Sequence, residues 1–410
     1  MPNPGALAFT PVRMVDVELT EPLRPPPGDG PFHLLLRRDG VPCATVRAGA
    51  AGRPMAAREF REALTRATTG LLPAGLLGAD GLLPAGGIVA APPADPGSRP
   101  SISVVVTTCE PSPGLIRTLA GLREQTSPPL EVIVVDNRPA TSGVAAFLRR
   151  NAVDGVRLVE EPAAGLSRAR NRGLAIARGE LVAFTDDDVD VDRRWVEAIT
   201  GPFRDDSVAC VTGLVLPLEL QTQAQLWFEQ FGGFAKGFQR RRFDLVEHRG
   251  PGRLYPYAAG VFGTGANAAF RTATLRSVGG FDERLGAGTP ARGGEDLDIY
   301  LTVVRSGWAL VYEPAALIRH RHHRELGELR AQITDYGVGL AAMVTKRCVV
   351  SREERWDIAR RLGAGALHLL HPRSAKNRAK GPGYPRDLTR AELRGILAGP
   401  FAYWKSRRAA

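Results

Sequence analysis

The sequence predicts an α/β protein: a mostly parallel sheet with helices on both faces, preceded by a small α+β module and followed by a helical tail. Three observations carry that prediction. From residue 101 short apolar runs alternate with amphipathic ones, the order expected of a parallel sheet wound with helices. Before it, residues 1–95 hold two or three alternating strand patterns and a single helical stretch. After residue 323 the pattern is helical and basic to the last residue. With 410 residues the chain has room for these three parts, divided at 1–95, 101–323 and 324–410.

Each element follows from its own pattern. VDVEL (15–19) alternates like a strand, and FHLLLRRDGVPCATVRA (32–48) reads as two strands around Asp39-Gly40, a dipeptide suited to a tight hairpin turn. AAREFREAL (56–64) is a helix, and a duplicated LLPAG leads into the Pro-rich linker APPADPGSRP (91–100). SISVVV (101–106) is a buried strand, and LEVIVVD (130–136), VRLVE (156–160) and ELVAFTDDD (180–188) are the strands that follow it. The helices PSPGLIRTLAGLREQ (111–125), GVAAFLRRN (143–151) and SRARNRGLAIARG (167–179) separate them. WALVYEP (308–314) is a later strand, and the tail reads as three helices, 324–346, 352–371 and 391–408.

Composition narrows the function classes. Hydrophobic content of 44% and charged content of 24% are ordinary for a globular chain, and the net charge of +11 is concentrated. Residues 347–410 carry 15 Lys and Arg against 5 Asp and Glu, so the rest is close to neutral. Arginine outnumbers lysine 49 to 5, which with abundant Ala, Gly and Pro reflects a G+C-rich coding bias of actinobacterial type. No zinc-finger spacing or basic–aromatic alternation accompanies the charge, and nucleic acid is not an expected partner. Cys43, Cys109, Cys210 and Cys348 are too scattered for a disulfide framework or a thiolate zinc site and fit a reducing cytoplasm. MPNPGALAFT lacks the pattern of a signal peptide, and the apolar stretch 70–94 is broken by Pro, Gly and Asp80. The expected location is therefore cytoplasmic. The last helix mixes Leu, Ile, Phe, Tyr and Trp with basic residues, which suits docking on the domain or an interfacial helix at the inner face of the membrane.

Chemistry gathers at the strand ends, where ligands of such sheets bind. The first strand ends in Thr107-Thr108-Cys109-Glu110, the second in Asp136-Asn137, the fourth in Asp186-Asp187-Asp188. Like charges about 4 Å apart repel by about 4 kcal/mol at an effective dielectric near 20, so the acidic triplet needs open water or a counter-charge. If the strand continues into it, Asp186 and Asp188 share a side and form an oxygen site for Mg2+ or Mn2+. Glu295 and Asp296 open a helix over 295–305, where negative charge is favoured.

Taken in order, SVVVTTCEP, VIVVDN, GLSRARNRG, FTDDDV, GTGANAAF, GGFDE, GGEDLDIYLTVVRSGW and HRHH resemble the family 2 glycosyltransferases of GT-A fold, whose sheet is Rossmann-like. The resemblance spans 101–323. It implies a metal-dependent, inverting transfer of a sugar from a nucleoside-diphosphate sugar, most simply a UDP-sugar. The acceptor would be a hydroxyl of a glycan, lipid-linked or natural-product molecule, as in cell-envelope or polysaccharide assembly. Thr107, Thr108, Cys109, Glu110 and Asp136 fall where the family contacts the nucleotide, with Cys109 and Glu110 departing from its usual residues. Arg168, Arg170, Asn171 and Asn267 are further donor-site candidates. The resemblance makes Asp186, Asp188 and His320 the metal set, Asp187 a ribose or metal contact, Asp296 the base and Glu295 its partner orienting the acceptor. The aromatic and Arg-rich segment 226–257 lies where the family shapes its acceptor site, although buried packing explains its aromatics equally well. A sugar nucleotidyltransferase and a non-catalytic nucleotide-sugar binder are the rival readings.

Overall fold

A computed structural model of the chain describes residues 9–69, 99–250, 252–374, 376–381 and 383–409. The duplicated LLPAG, the apolar stretch 70–94 and the linker up to residue 98 lie outside the described residues. Near the N-terminus β1 (Arg13–Glu18), β2 (Phe32–Arg38) and β3 (Val41–Ala48) form a three-stranded sheet in that order. β1 runs parallel to β2, and β3 antiparallel. Asp39 and Gly40 both have positive φ, 51° and 76°, as a two-residue hairpin turn of this twist requires. α1 (Ala57–Thr68) closes this layer by packing Phe60 and Leu64 on Phe32, Leu34 and Leu36. The alternate side of β2 is also covered, since Leu35 belongs to the core of the next sheet.

The following segment reads β4 (Ile102–Thr108), α2 (Pro113–Arg123), β5 (Glu131–Asp136), α3 (Pro139–Ser142), α4 (Val144–Arg150), β6 (Val156–Glu160), α5 (Leu166–Ile176) and β7 (Leu181–Thr185). Then come β8 (Val189–Val191), α6 (Trp195–Thr200), β9 (Val208–Pro217), α7 (Gln223–Phe231) and β10 (Arg241–Phe243). β11 (Asn267–Arg271), α8 (Thr272–Ser277), α9 (Glu295–Arg305) and β12 (Ala309–His320) complete it. The sheet has nine strands in the order β10-β12-β9-β11-β7-β4-β5-β6, with β8 paired to β12.

β7, β4, β5 and β6 are parallel to one another, and β9 is parallel to β12. β11 enters antiparallel between β7 and β9, and β8 and β10 are antiparallel to β12. The sheet is thus mixed but mostly parallel, as expected, with β4, β5, β6, β7, β9 and β12 running one way and β8, β10 and β11 the other. Apolar runs report burial and carry no information about strand direction, so the three reversed strands leave no mark in the pattern. Period-two alternation divides the side chains between two layers. Val105, Ile133, Val135, Val182 and Phe184 pack with Leu174, Ile299 and Val303. Val104, Val106, Val134, Leu181 and Ala183 pack with Leu115, Leu119, Trp195 and Ile199 on the opposite side. Each such side chain contributes about 1.5–3 kcal/mol by burial.

Three helices follow, α10 (Leu326–Val350), α11 (Arg352–Leu370) and α12 (Arg386–Ala409). α12 lies on α10 through small residues. A methyl group added at Gly395 would sit 2.1 Å from the Thr334 carbonyl oxygen, and one at Gly399 would sit 2.4 Å from Ala341 Cβ. α10 also meets α7, where Phe228 packs with Leu329 and Ile333. No helix among the described residues is long and apolar enough to cross a membrane.

Candidate active site

β7 stops at Thr185, and Asp186, Asp187 and Asp188 form the turn into β8. Two walls fix the turn. The Thr118 hydroxyl of α2 accepts from Val189 N at 3.1 Å and donates to Val189 O at 3.0 Å. On the other side β8 pairs with the end of β12, Val189 opposite His320. Asp186 and Asp188 therefore converge, as the sequence suggested, but by this turn rather than by strand alternation. The His320 Nε2 lies 3.4 Å from Asp186 Oδ2 and 3.3 Å from Asp188 Oδ1. One ligand atom from each of the three residues lies within 4.8 Å of the others.

Burial works against the charge on Asp186, but the bond and charge of His320 and the charge of Arg170 outweigh it and lower its pKa. Burial and the Asp186 charge raise Asp188 despite His320. Asp187 rises to about 6, through burial and its two acidic neighbours, with a Thr108 bond opposing. His320 shows the converse: burial favours its neutral form, yet Asp188 and Asp186 raise it to about 9. In the metal-free chain an imidazolium is thus the counter-charge. The set also fits a hard divalent cation. Two carboxylates and an imidazole are suitable donors, and neighbouring donors of an octahedral ion with 2.0–2.1 Å bonds lie about 3 Å apart.

Arg170 of α5 ties this turn to the start of α9. It is 3% exposed, and its guanidinium meets Glu295 Oε1 at 2.9 Å, Asp186 Oδ1 at 3.6 Å and the Gly265 carbonyl at 3.2 Å. Glu295 is consequently turned inward, and burial together with the Asp296 charge raises it to about 7. The geometry thus makes it a partner of Arg170. Asp296 remains partly exposed, with Oδ2 accepting from Gly265 N at 3.0 Å and Oδ1 from Leu297 N at 2.7 Å. The start of α9 is set by Gly294, whose φ is 86° and where a Cβ would lie 2.4 Å from the Gly339 carbonyl oxygen of α10. Asp298 faces away, to Lys346 and Arg347.

The ends of β4 and β5 make a second acidic rim. Asp136, Asp187 and Glu110, with Arg138, surround the Cys109 thiol. Thr107 is partly exposed, and the Thr108 hydroxyl donates to the Glu110 carbonyl at 2.9 Å. Asp136 already accepts from Arg138 N at 3.0 Å and from the Ser142 hydroxyl. Three other candidates are engaged within the protein. Arg168 pairs with Glu283 at 2.8 Å, and Asn171 bonds Phe281 N and O, each at 2.9 Å. Asn267 is fully buried, accepting from Trp195 Nε1 at 2.8 Å and donating to Leu214 O and Ala316 O. The polar ends of these three thus have partners within the protein.

Two residues unmarked in the sequence stand by the acids. Burial and the charges of Asp296, Asp186, Glu295 and Asp188 push the Tyr336 phenol of α10 well up. Lys236 lies near Asp296 and Glu229, with burial lowering its pKa against them. A lone tyrosine and a lone lysine amid apolar neighbours were the available signals. Within 226–257, Phe228, Phe243 and Tyr255 are core residues, while Phe234 meets His320 edge-on at 5.4 Å. His322 bonds Glu229 at 2.9 Å and is 3% exposed, a packing role.

Residues 103–262 match the family described as glycosyl transferase family 2. The chain is 30% identical over 256 residues to a pre-mycofactocin glycosyltransferase of Mycobacterium tuberculosis, covering 62% of this chain and 50% of that one. It is 26% identical over 230 residues to polypeptide N-acetylgalactosaminyltransferase 8 of Drosophila melanogaster, covering 54% and 38%. The chain thus spans half or less of the length of these relatives. Among solved structures, the mannosyltransferase PcManGT of Pyrobaculum calidifontis in complex with GDP-Man and Mn2+ is similar at 21% identity and a TM-score of 0.44, over 77% of this chain and 75% of that one.

Proposed function

From the match of residues 103–262 to glycosyl transferase family 2, we propose that the protein moves a sugar from a nucleoside-diphosphate sugar, a UDP-sugar in the first place, to a hydroxyl of a glycan, lipid-linked or natural-product acceptor. Residues 101–323 are the transferase part of this reading, flanked by 1–95 and 324–410. The observation that carries it is the convergence of Asp186, Asp188 and His320, one guanidinium away from the helix start that bears Asp296. The names of the relatives support the reaction class.

Asp186, Asp188 and His320 would hold Mn2+ or Mg2+, which when bound supplies the positive charge that screens the donor diphosphate and stabilises it as a leaving group. Thr107, Thr108, Cys109, Glu110, Asp136 and Asp187 form the rim that takes base and ribose. Asp296 accepts the acceptor hydroxyl's proton as that oxygen attacks the anomeric carbon and the bond to the diphosphate breaks. The Gly265 and Leu297 amides hold its carboxylate in place beforehand. One displacement inverts the anomeric centre. The tail belongs to the same proposal as the part that meets an anionic membrane: Leu397, Phe401 and Trp404 form an exposed stripe on α12, bordered by exposed Arg394, Lys405, Arg407 and Arg408.

The test is release of nucleotide from UDP- and GDP-sugars with Mn2+ present. Wild type is expected to turn over, and Asp188→Ala to lose the rate. Asp296→Asn should keep donor binding while losing about 10²–10⁴ in rate. An undiminished rate in EDTA would refute the metal role, and donor binding without turnover would leave a binder.

A further inference from the structure

The three-stranded module before residue 101 carries none of the candidate catalytic residues, yet it reaches β12, which bears His320, and the segment after β8, the strand that follows Asp188. The contacts are ionic, and they fall on one side of β2. Asp16 and Arg37 pair at 2.7 Å inside the module. Arg37 then reaches across to Asp192 Oδ2, also at 2.7 Å, two residues beyond Asp190 in the segment that follows β8. Asp16 reaches Arg319 of β12, whose guanidinium lies 3.7 Å from Asp190 of β8. Arg194 adds a bond of 2.8 Å to the Asp39 carbonyl at the tip of the module's hairpin. Arg37, Asp192 and Arg319 are 12%, 13% and 18% exposed at their side chains and Asp16 and Asp190 40% and 41%, so solvent screens the Arg37–Asp192 pair least.

The register shows what this network grips. Asp190 is paired with Arg319, and the next pair along the ladder is Val189 with His320. Asp188 immediately precedes Val189. The clamp therefore closes one residue from His320 and two from Asp188, on the side of β8 opposite the Thr118 bonds of α2. β8 is only three residues long and needs such outside support to hold a register. Leu35, on the same side of β2 as Arg37 by strand alternation, packs into the core of the large sheet, and Val12 N donates to Leu220 O at 2.9 Å. The module is thus seated by packing as well as by charge.

We infer that the N-terminal module braces the cation site, with Asp16 and Arg37 as positioning residues that hold the β8–β12 pair so that Asp188 and His320 present their donor atoms together. The inference rests on the reading of Asp186, Asp188 and His320 as a cation site. Neither Asp16 nor Arg37 touches the cation or the donor; they act through Arg319 and Asp192. Residues outside a ligand shell that orient its members are commonly worth 10–100-fold in metal affinity.

The experiment measures Mn2+ affinity of the full chain, by electron spin resonance of free Mn2+, alongside the melting temperature. Asp16→Asn keeps the shape of the contact and removes its charge; Arg37→Gln releases Asp192. Each is expected to weaken Mn2+ binding about tenfold, whereas Leu64→Ala, in the module's own core, should lower the melting temperature without changing Mn2+ affinity in the folded protein. If the two clamp variants fold and bind Mn2+ as wild type does while Asp188→Ala abolishes binding, the bracing role is overturned and the cation site stands. If wild type does not bind Mn2+, or Asp188→Ala binds it normally, both fall together.

Discussion

Arg170 and Glu295 are both buried, at 3% and 6% exposure, and their contact determines what each can do. A carboxyl raised to about 7 from an ordinary 4.5 takes up a proton on folding between those values. The folded state binds more protons there than the unfolded one, so the stability this group lends below pH 4.5 is lost as pH rises through 7. Glu295→Gln should flatten that slope if Arg170 stays in place. Melting curves of both proteins in EDTA across this range decide it: parallel curves would show that Glu295 does not titrate there. Glu295 and Asp296 were legible as a pair, because acids at a helix start form a local pattern. Their division of labour was not, since it depends on an arginine from another helix.

At the level of elements, α9 is placed by the backbone contact of Gly293 and Gly294 with α10. A methyl group on Gly339 would lie 2.6 Å from the Gly293 carbonyl carbon, backbone against backbone. Gly339→Ala should cost about 1–3 kcal/mol by overpacking and should slow nucleotide release, because Asp296 moves with α9. Gly363→Ala is the control with the opposite sign. It sits in α11 with nothing within 4 Å of an added Cβ, and should gain up to about 1 kcal/mol as a better helix former. Denaturant unfolding measures both; equal signs would contradict the packing account. The helix itself was readable from its periodicity, as were α10, α11 and α12. What α10 presses against was not, because a glycine in a helical pattern does not say which backbone approaches it.

For the molecule as a whole, α12 is the element whose sequence reading changes most in context. Its inner side carries buried Leu388 and Tyr403 around the small Ala391, Gly395 and Gly399, the two glycines against α10, while Leu397, Phe401 and Trp404 point outward. Leu397 and Phe401 are 81% and 76% exposed. Docking and an interfacial face were alternatives in the sequence, whereas the structure has the docking and leaves the stripe uncovered. Wild type is expected to sediment with vesicles containing phosphatidylglycerol and not with pure phosphatidylcholine, and to release as salt rises. Phe401→Ser with Trp404→Ser should weaken that partitioning at least about tenfold. Unchanged partitioning, or a dimer in solution that the double variant dissolves, would assign the stripe elsewhere.

Local pattern sufficed to show which strand ends carry acids, which helices are amphipathic and where the basic charge lies. Those features depend on residues a few positions apart and on side-chain chemistry that does not change with context. Long-range folding brings His320 onto Asp186 and Asp188, turns Glu295 inward, ties Asn171 and Asn267 to neighbouring segments, and sets β8, β10 and β11 against the direction of the other six strands. Each of these is a pairing between distant segments, and hydrophobic pattern records that a strand is buried without recording its neighbour or its direction.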